Sequence, residues 1–259
     1  MNRTRQWIRR SLLLALSQCL TPGELSALPE VPATYKPVII QPTDEPFQRE
    51  ILLDNLQNPW AMDFLPDGNL LITEHGGSVI LYSHKHPAAI ENQPSRKIAD
   101  FSERVAHGSP QLGLLDVSVR KIDDDVSVYI SYTASQKQDN RNYYTTCLMR
   151  QQWIVNRLVP REEKTFCVAP WGKETSQFGG AIALDKKDHV FLTVGDRGIR
   201  ETAQDPSAYW GKILAFVDSP KNFGQDTFYG KAGKQVWSIG HRNPQGLFYD
   251  KKSRRLYAS

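Results

Sequence analysis

Cysteine is scarce in this chain, with three in 259 residues. One of them, Cys19, falls in the N-terminal segment, so Cys147 and Cys167 are left as a pair too sparse to hold a metal ion. No long hydrophobic run is present. The apolar stretch Ser11-Leu12-Leu13-Leu14-Ala15-Leu16 falls well short of the length that spans a bilayer, which excludes a transmembrane helix there. No segment keeps an apolar period of 3.6 residues, so helices are expected to be few and short. A phosphate-binding glycine loop, a His-Glu-x-x-His pair and a Gly-x-Ser-x-Gly elbow are all missing, and with them the usual signs of nucleotide binding, zinc proteolysis and serine hydrolysis. Charge of one sign is also lacking. The formal net charge is +4, but Arg3, Arg5, Arg9 and Arg10 against Glu24 supply most of it within residues 1–27. What remains is close to neutral and calls for no nucleic acid and no anionic membrane.

The basic start has a different meaning. Four arginines before the short apolar core, with Leu25-Ser26-Ala27 as small residues after it, read as an export signal over residues 1–27. Cys19 raises a lipoprotein alternative, which Gln18 before it fits poorly. A periplasmic or secreted location is the expectation. In such an oxidising compartment Cys147 and Cys167, both in strand-like segments, are open to a disulfide or to two buried thiols. Residues 28–46 are proline-rich and without period, an extended leader.

From residue 47 onward one grammar recurs. Pro59–Leu65 alternates like a strand, Pro66-Asp67-Gly68-Asn69 turns, and Leu70–Glu74 is a second strand, followed by a turn at Gly76-Gly77 and Ser78–Tyr82. Leu112–Val119, a turn at Asp123–Asp125 and Val126–Tyr132 repeat it. So do Gly179–Leu184, Lys186–Asp188 and Val190–Val194, and finally Gln245–Tyr249, Lys251–Ser253 and Arg255–Ser259. The turns return at roughly 60-residue intervals, as blades of a β-propeller or another repeated β unit would. The fourth copy stops inside its second strand, so 47–259 reads as a partial, truncated propeller of about three to four blades.

The densest chemistry lies in Trp237-Ser238-Ile239-Gly240-His241-Arg242-Asn243-Pro244-Gln245-Gly246. A guanidinium and two carboxamides are set there between glycines that allow close backbone approach and a proline that fixes a turn. Arg242 can grip a carboxylate or carbonyl through paired N–H donors. Here the chain resembles the soluble quinoprotein sugar dehydrogenases, the glucose/sorbosone dehydrogenase family, in which such a loop lies against pyrroloquinoline quinone (PQQ). The resemblance runs from about Pro59 to Ser259. It implies a six-bladed all-β propeller carrying PQQ and calcium, an aldose oxidised at its anomeric CH–OH by hydride transfer to the quinone, and a soluble electron acceptor. It implies quinone contacts from Arg242, Asn243 and Gln245, with Arg242 stabilising charge on the reacting oxygen. It places the calcium ligands on a segment that would begin beyond Ser259. A calcium-dependent lactonase propeller shares the Pro-Asp-Gly turns but leaves Gly240–Gly246 unexplained.

Three further segments match more weakly. Gln111-Leu112-Gly113-Leu114-Leu115 resembles the family stretch that puts a glutamine on the sugar, with His107 nearby. Glu201–Asp205 followed by Trp210–Leu214 reads as structural, with Lys212 on a solvated face. The third segment is Ser176-Gln177-Phe178-Gly179-Gly180 with Val194-Gly195-Asp196-Arg197-Gly198. The family has a histidine, the base for the anomeric hydroxyl, where this chain has Gln177. A carboxamide has no lone pair that titrates near neutral pH, and losing a general base costs about 10²–10⁴ in rate. Asp196, matching the aspartate that supports that histidine, is a weaker base or a turn residue. His241 is conformational, and His75, His84, His86 and His189 read as surface turn residues. Two functions are therefore expected: an aldose dehydrogenase, or a catalytically impaired propeller that serves as a binding or interaction module.

Overall fold

A computed structural model describes residues 51–83, 95–122, 125–154, 160–186, 189–218 and 236–259. Every described strand belongs to one compact unit, Leu52–Ser259. The expected export signal and leader, and also His84 and His86, lie outside the described residues.

In chain order the elements are β1 (Pro59–Phe64), β2 (Leu70–Glu74), β3 (Ser78–Tyr82) and β4 (Ser95–Asp100), then β5 (Leu114–Ile122), β6 (Asp125–Gln138), β7 (Arg141–Ile154) and β8 (Pro160–Cys167). Next come β9 (Ile182–Leu184), β10 (His189–Val194), helix α1 (Arg200–Gln204), β11 (Lys212–Val217), β12 (Val236–Ile239), β13 (Leu247–Asp250) and β14 (Arg255–Ala258). They make three four-stranded sheets, β1–β4, β5–β8 and β9–β12, each an antiparallel meander, and a two-stranded sheet β13–β14. The first strand of each sheet lies against the first strand of the next, β1 on β5, β5 on β9 and β9 on β13. The architecture is a β-propeller, with α1 its one helix among the described residues.

The side-chain alternation of a strand explains the stacking. In β6, Val128 and Ile130 pack with Leu71, Val79 and Leu81 of the first sheet, while Tyr129 between them points the other way, into the cluster of Leu192, Leu214 and Phe216. β10 divides its side chains likewise, Val190 and Leu192 to one side and Phe191 to the other with Ile213 and Tyr249. Strands sandwiched between two sheets are buried on both faces, so β2 and the first half of β6 read as unbroken apolar or hydroxylated runs. Each fully buried Leu, Val, Ile or Phe contributes roughly 1.5–3 kcal/mol.

Inner strands of neighbouring sheets share no ladder, and their N–H groups need other partners. Asp63 on β1 accepts from Val119 N at 2.7 Å, and Asp116 on β5 accepts from Ile182 N at 2.6 Å. Both carboxylates line a cavity of about 380 Å³ between the inner strands. A second seam is ionic: Asp218 receives Arg150 at 2.5 Å, Arg120 at 3.3 Å and the Tyr129 hydroxyl, tying the second sheet to the third. The Cys147–Cys167 alternative resolves as a disulfide, the two residues facing each other in the β7–β8 register.

Two of the histidines expected on the surface behave otherwise. His75 is buried, tilted against Trp60 at 4.4 Å, and packs there because Gly113 has no side chain: a Cβ at that position would lie 2.1 Å from the His75 carbonyl. His189 opens β10 rather than a turn and pairs with Asp185 at 2.6 Å.

Asp218→Asn removes the counter-charge from two buried guanidiniums and should lower unfolding free energy in urea by about 3–5 kcal/mol. A second expectation concerns pH. Burial, reinforced by Asp63, pushes the Asp116 carboxyl up from 3.8 to about 7, so the folded state holds its proton more tightly than the unfolded chain. Stability should therefore fall as pH rises from about 4 to about 7, by at most about 4 kcal/mol. Asp116→Asn should flatten that slope; an unchanged slope would place the proton elsewhere.

Candidate functional site

Three loops that each lead into an inner strand, and the connection between β10 and β11, converge on one face. The loop before β9 is held first. The disulfide closes its base, Thr145 Oγ1 donates to Val168 O, and Thr146 Oγ1 donates to Phe178 O at 2.9 Å. At its tip Gln177 has φ +60°, a left-handed conformation costly for a side chain with a Cβ. From there Gln177 N donates to the Gln111 carboxamide oxygen in the loop before β5. Two residues on, Gly179 N donates to Asn243 Oδ1 at 3.1 Å in the loop before β13.

The β10–β11 connection supplies the fourth side. Asp196 N donates to the Arg242 carbonyl at 2.8 Å, and Thr193 Oγ1 donates to the Pro244 carbonyl at 2.7 Å. Asp196 is buried, and its Oδ1 accepts Gly198 N at 2.9 Å. Gly195 is where these segments touch. A Cβ there would lie 2.0 Å from the Gln177 carbonyl and 3.0 Å from that of Arg242, so only glycine lets the two loops close on β10.

Gln111, Gln177, Asp196, Arg242 and Asn243 are thus joined by direct hydrogen bonds or through one intervening glycine. Their free valences differ. The Arg242 guanidinium is exposed and has no partner among the described residues. Asn243 spends its oxygen on Gly179 and keeps its NH₂ donors. Gln111 likewise spends its oxygen on Gln177. Gln177 Oε1 is buried with no hydrogen-bond partner among the described residues, an acceptor suited to a ligand donor. Gln245 is exposed at the mouth of β13, its N–H on the Ser259 carbonyl at 3.3 Å. His107 is exposed and turned back onto the Ser102 carbonyl at 2.8 Å. The inter-strand cavity is lined by none of these residues.

Two residues given no part in the chemistry stand out. Arg197 is buried beneath the Gln177 loop, its guanidinium 3.4 Å from the Phe178 ring centroid, donating to Glu174 O at 2.8 Å and Tyr144 O at 3.3 Å. Burial pulls it down to about 9, with Glu174 acting in the opposite direction, so it remains charged at neutral pH. Lys212, expected on a solvated face, is fully buried and donates to Thr202 O, Ala203 O and Trp210 O at 2.6, 3.1 and 2.7 Å. It avoids solvent because three main-chain carbonyls near α1 take its three protons. His241 packs nearby, its Nε2 2.9 Å from Ser238 Oγ, and burial and Lys212 lower its pKa.

Fold and site together define a propeller whose entry loops present planar amide and guanidinium donors around a buried aspartate. Residues 56–259 match the Glucose / Sorbosone dehydrogenase family, and the chain belongs to it. It is 30% identical over 212 residues to the aldose sugar dehydrogenase YliI of Escherichia coli, covering 80% of this chain and 54% of that protein. Quinoprotein glucose dehydrogenase B of Acinetobacter calcoaceticus is 23% identical over 94% of this chain and 54% of its own length. The apo structure of the soluble E. coli aldose sugar dehydrogenase superposes with a TM-score of 0.65 at 27% identity, over 81% of this chain and 58% of that one. A PQQ-bound aldose sugar dehydrogenase of Streptomyces coelicolor shares the fold at TM-score 0.57 and 22% identity, covering 81% of this chain and 58% of that one. The chain therefore spans little more than half the length of the curated relatives it matches.

Gly195→Ala should separate the Gln177 and Arg242 loops. The expected result is a loss of about 2–3 kcal/mol in denaturant unfolding, with faster hydrogen exchange at Asp196 N–H.

Proposed function

We propose that this chain is the cofactor-contacting part of a quinoprotein oxidoreductase that acts on the anomeric CH–OH of an aldose. The observation that carries the proposal is the unpaired Arg242 guanidinium, tied through its own carbonyl to the segment bearing Asp196. The names of the relatives, aldose sugar dehydrogenase and quinoprotein glucose dehydrogenase, support the same reading. The donors suit PQQ, an anionic planar ring: a free guanidinium for a carboxylate or carbonyl, the Asn243 NH₂ beside it, and Gln245 at the mouth. PQQ, when bound, supplies the hydride acceptor. Arg242 holds a fixed positive charge where negative charge builds, and Gln111 orients a sugar hydroxyl through its remaining NH₂ donors. Calcium finds no cluster of three or more His, Cys, Asp or Glu side chains among the described residues.

Proton removal is the weak point. Gln177 accepts a hydrogen bond but takes no proton, and on this reading Asp196, buried and fixed by Gly198 N on the adjoining segment, serves as a weaker base. The second reading, a propeller that binds a ligand without turnover, is favoured by that same orphaned Gln177 oxygen, which suits a hydroxyl donor. Under either reading the protein works outside the cytoplasm, periplasmic or secreted, with a small sugar as ligand and, for the dehydrogenase, a soluble electron acceptor. No helix among the described residues is long and apolar enough to cross a membrane.

Purified chain supplied with PQQ and calcium should bind the quinone weakly and reduce an artificial dye very slowly when an aldose is added. Gln177→His should raise that rate by about 10²–10⁴. Robust oxidation by the unaltered chain would refute the loss of a base, and no gain from histidine would remove Gln177 from the reacting centre.

A further inference from the structure

We infer that Lys212 is a positioning residue for Arg242 and Asn243, acting through main-chain hydrogen bonds rather than by touching a ligand. The inference rests on the quinone-site reading of those two residues. Lys212 opens β11, and its ammonium closes on the carbonyls of Thr202, Ala203 and Trp210. Two of these belong to the last turn of α1, where carbonyls have no partner within the helix and a cation is favoured. The clamp draws α1 down onto Gly211: a Cβ on that residue would sit 2.5 Å from Ala203 Cβ and 2.8 Å from the His241 carbonyl. One of these carbonyls, and that of neighbouring Gly211, also anchor the residues before Arg242. Ala203 O accepts Gly240 N at 2.8 Å, and Gly211 O accepts His241 N at 3.0 Å.

A continuous chain of contacts therefore runs from the Lys212 ammonium, through the end of α1, into the two residues that precede Arg242. Nothing else among the described residues donates to the carbonyls of Thr202 and Trp210 apart from Asp205 N at Thr202, 3.3 Å away. An apolar residue at 212 would leave those acceptors in a space without water, and α1 would lift. Gly240 and His241 would lose their anchors, and Arg242 would keep its charge but lose its aim.

The test is carried out on the whole chain. Lys212→Met should speed hydrogen exchange at Gly240 N–H and His241 N–H at least tenfold, while amides of β5–β8 stay within twofold. PQQ affinity, followed by the absorbance of the bound quinone, should fall about tenfold in Lys212→Met, and less than twofold when the same change is made in an Arg242→Ala background. Should the methionine variant not fold, Lys212→Gln keeps two donors and should give a smaller loss of the same kind. A uniform rise in exchange across all sheets, or an equal loss of affinity in both backgrounds, would reduce Lys212 to a stability residue and overturn the inference. If the unaltered chain binds no PQQ, the quinone reading fails, while the exchange data alone still decide whether the clamp exists.

Discussion

The hydrogen bond from Asp196 N–H to the Arg242 carbonyl is the contact on which the site depends. It joins the end of an inner-core strand to a loop that otherwise approaches from the next sheet. Without it, a carboxylate and a guanidinium widely separated in sequence have no reason to share a face. With it, the geometry is fixed by main chain, which does not depend on side-chain rotamers. Gly179 N to Asn243 Oδ1 and Thr193 Oγ1 to Pro244 O repeat the device on either side. The side chains that remain free, Arg242 above all, are held at the root and unpaired at the tip, as a binding group must be.

Buried charge has been placed around this face in an ordered way. Arg197 lies under the Gln177 loop, Lys212 under the Gly240–Asn243 loop, and the Asp218 cluster farther away between two sheets. An uncompensated buried ion costs several kcal/mol, and only the Asp218 cluster is neutralised by opposite charge. Arg197 and Lys212 are instead received by backbone carbonyls, and burial lowers the pKa of each. Positive charge therefore lies just below two loops that present hydrogen-bond donors. This charge is local, since the chain beyond residue 27 is close to neutral.

The repeating turn-and-strand pattern made the propeller legible because its cause is local: strands buried on both faces must be continuously apolar, and tight turns need Gly, Asp or Asn. The Pro66–Asn69 turn, the middles of β2 and β10 and the first half of β6 follow that rule, with serine and threonine among the apolar side chains. The Gly240–Gly246 loop was legible for the opposite reason, an excess of planar polar groups that no turn requires. Lys212, Arg197 and His75 were not. A lysine after a glycine looks the same in sequence whether it meets water or three carbonyls, and the carbonyls belong to main chain whose identity leaves no trace. A signal did exist for Arg197, an arginine closed between Asp196 and Gly198 and followed by another turn residue, but its partners Tyr144, Glu174 and Phe178 lie on other strands and loops. The disulfide was undecidable for the same reason, since the register of β7 against β8 is set by the whole ladder.

All of these constraints meet at Gln177. Its backbone is held in a left-handed conformation by Gln111 on one side and by the Gly195 approach on the other, so its side chain is directed by the fold and not by its own preference. An imidazole and a carboxamide both fit a site that asks for a planar polar group with an acceptor pointing at a ligand. They part only when a proton must be taken. On the proposed quinoprotein reading, the position keeps its shape and loop contacts with a carboxamide in place of an imidazole, and the step it loses is the one that needs a titratable nitrogen. On that reading binding and turnover part at a single side chain, because the loop contacts of Gln177 run through its main chain and not through its carboxamide.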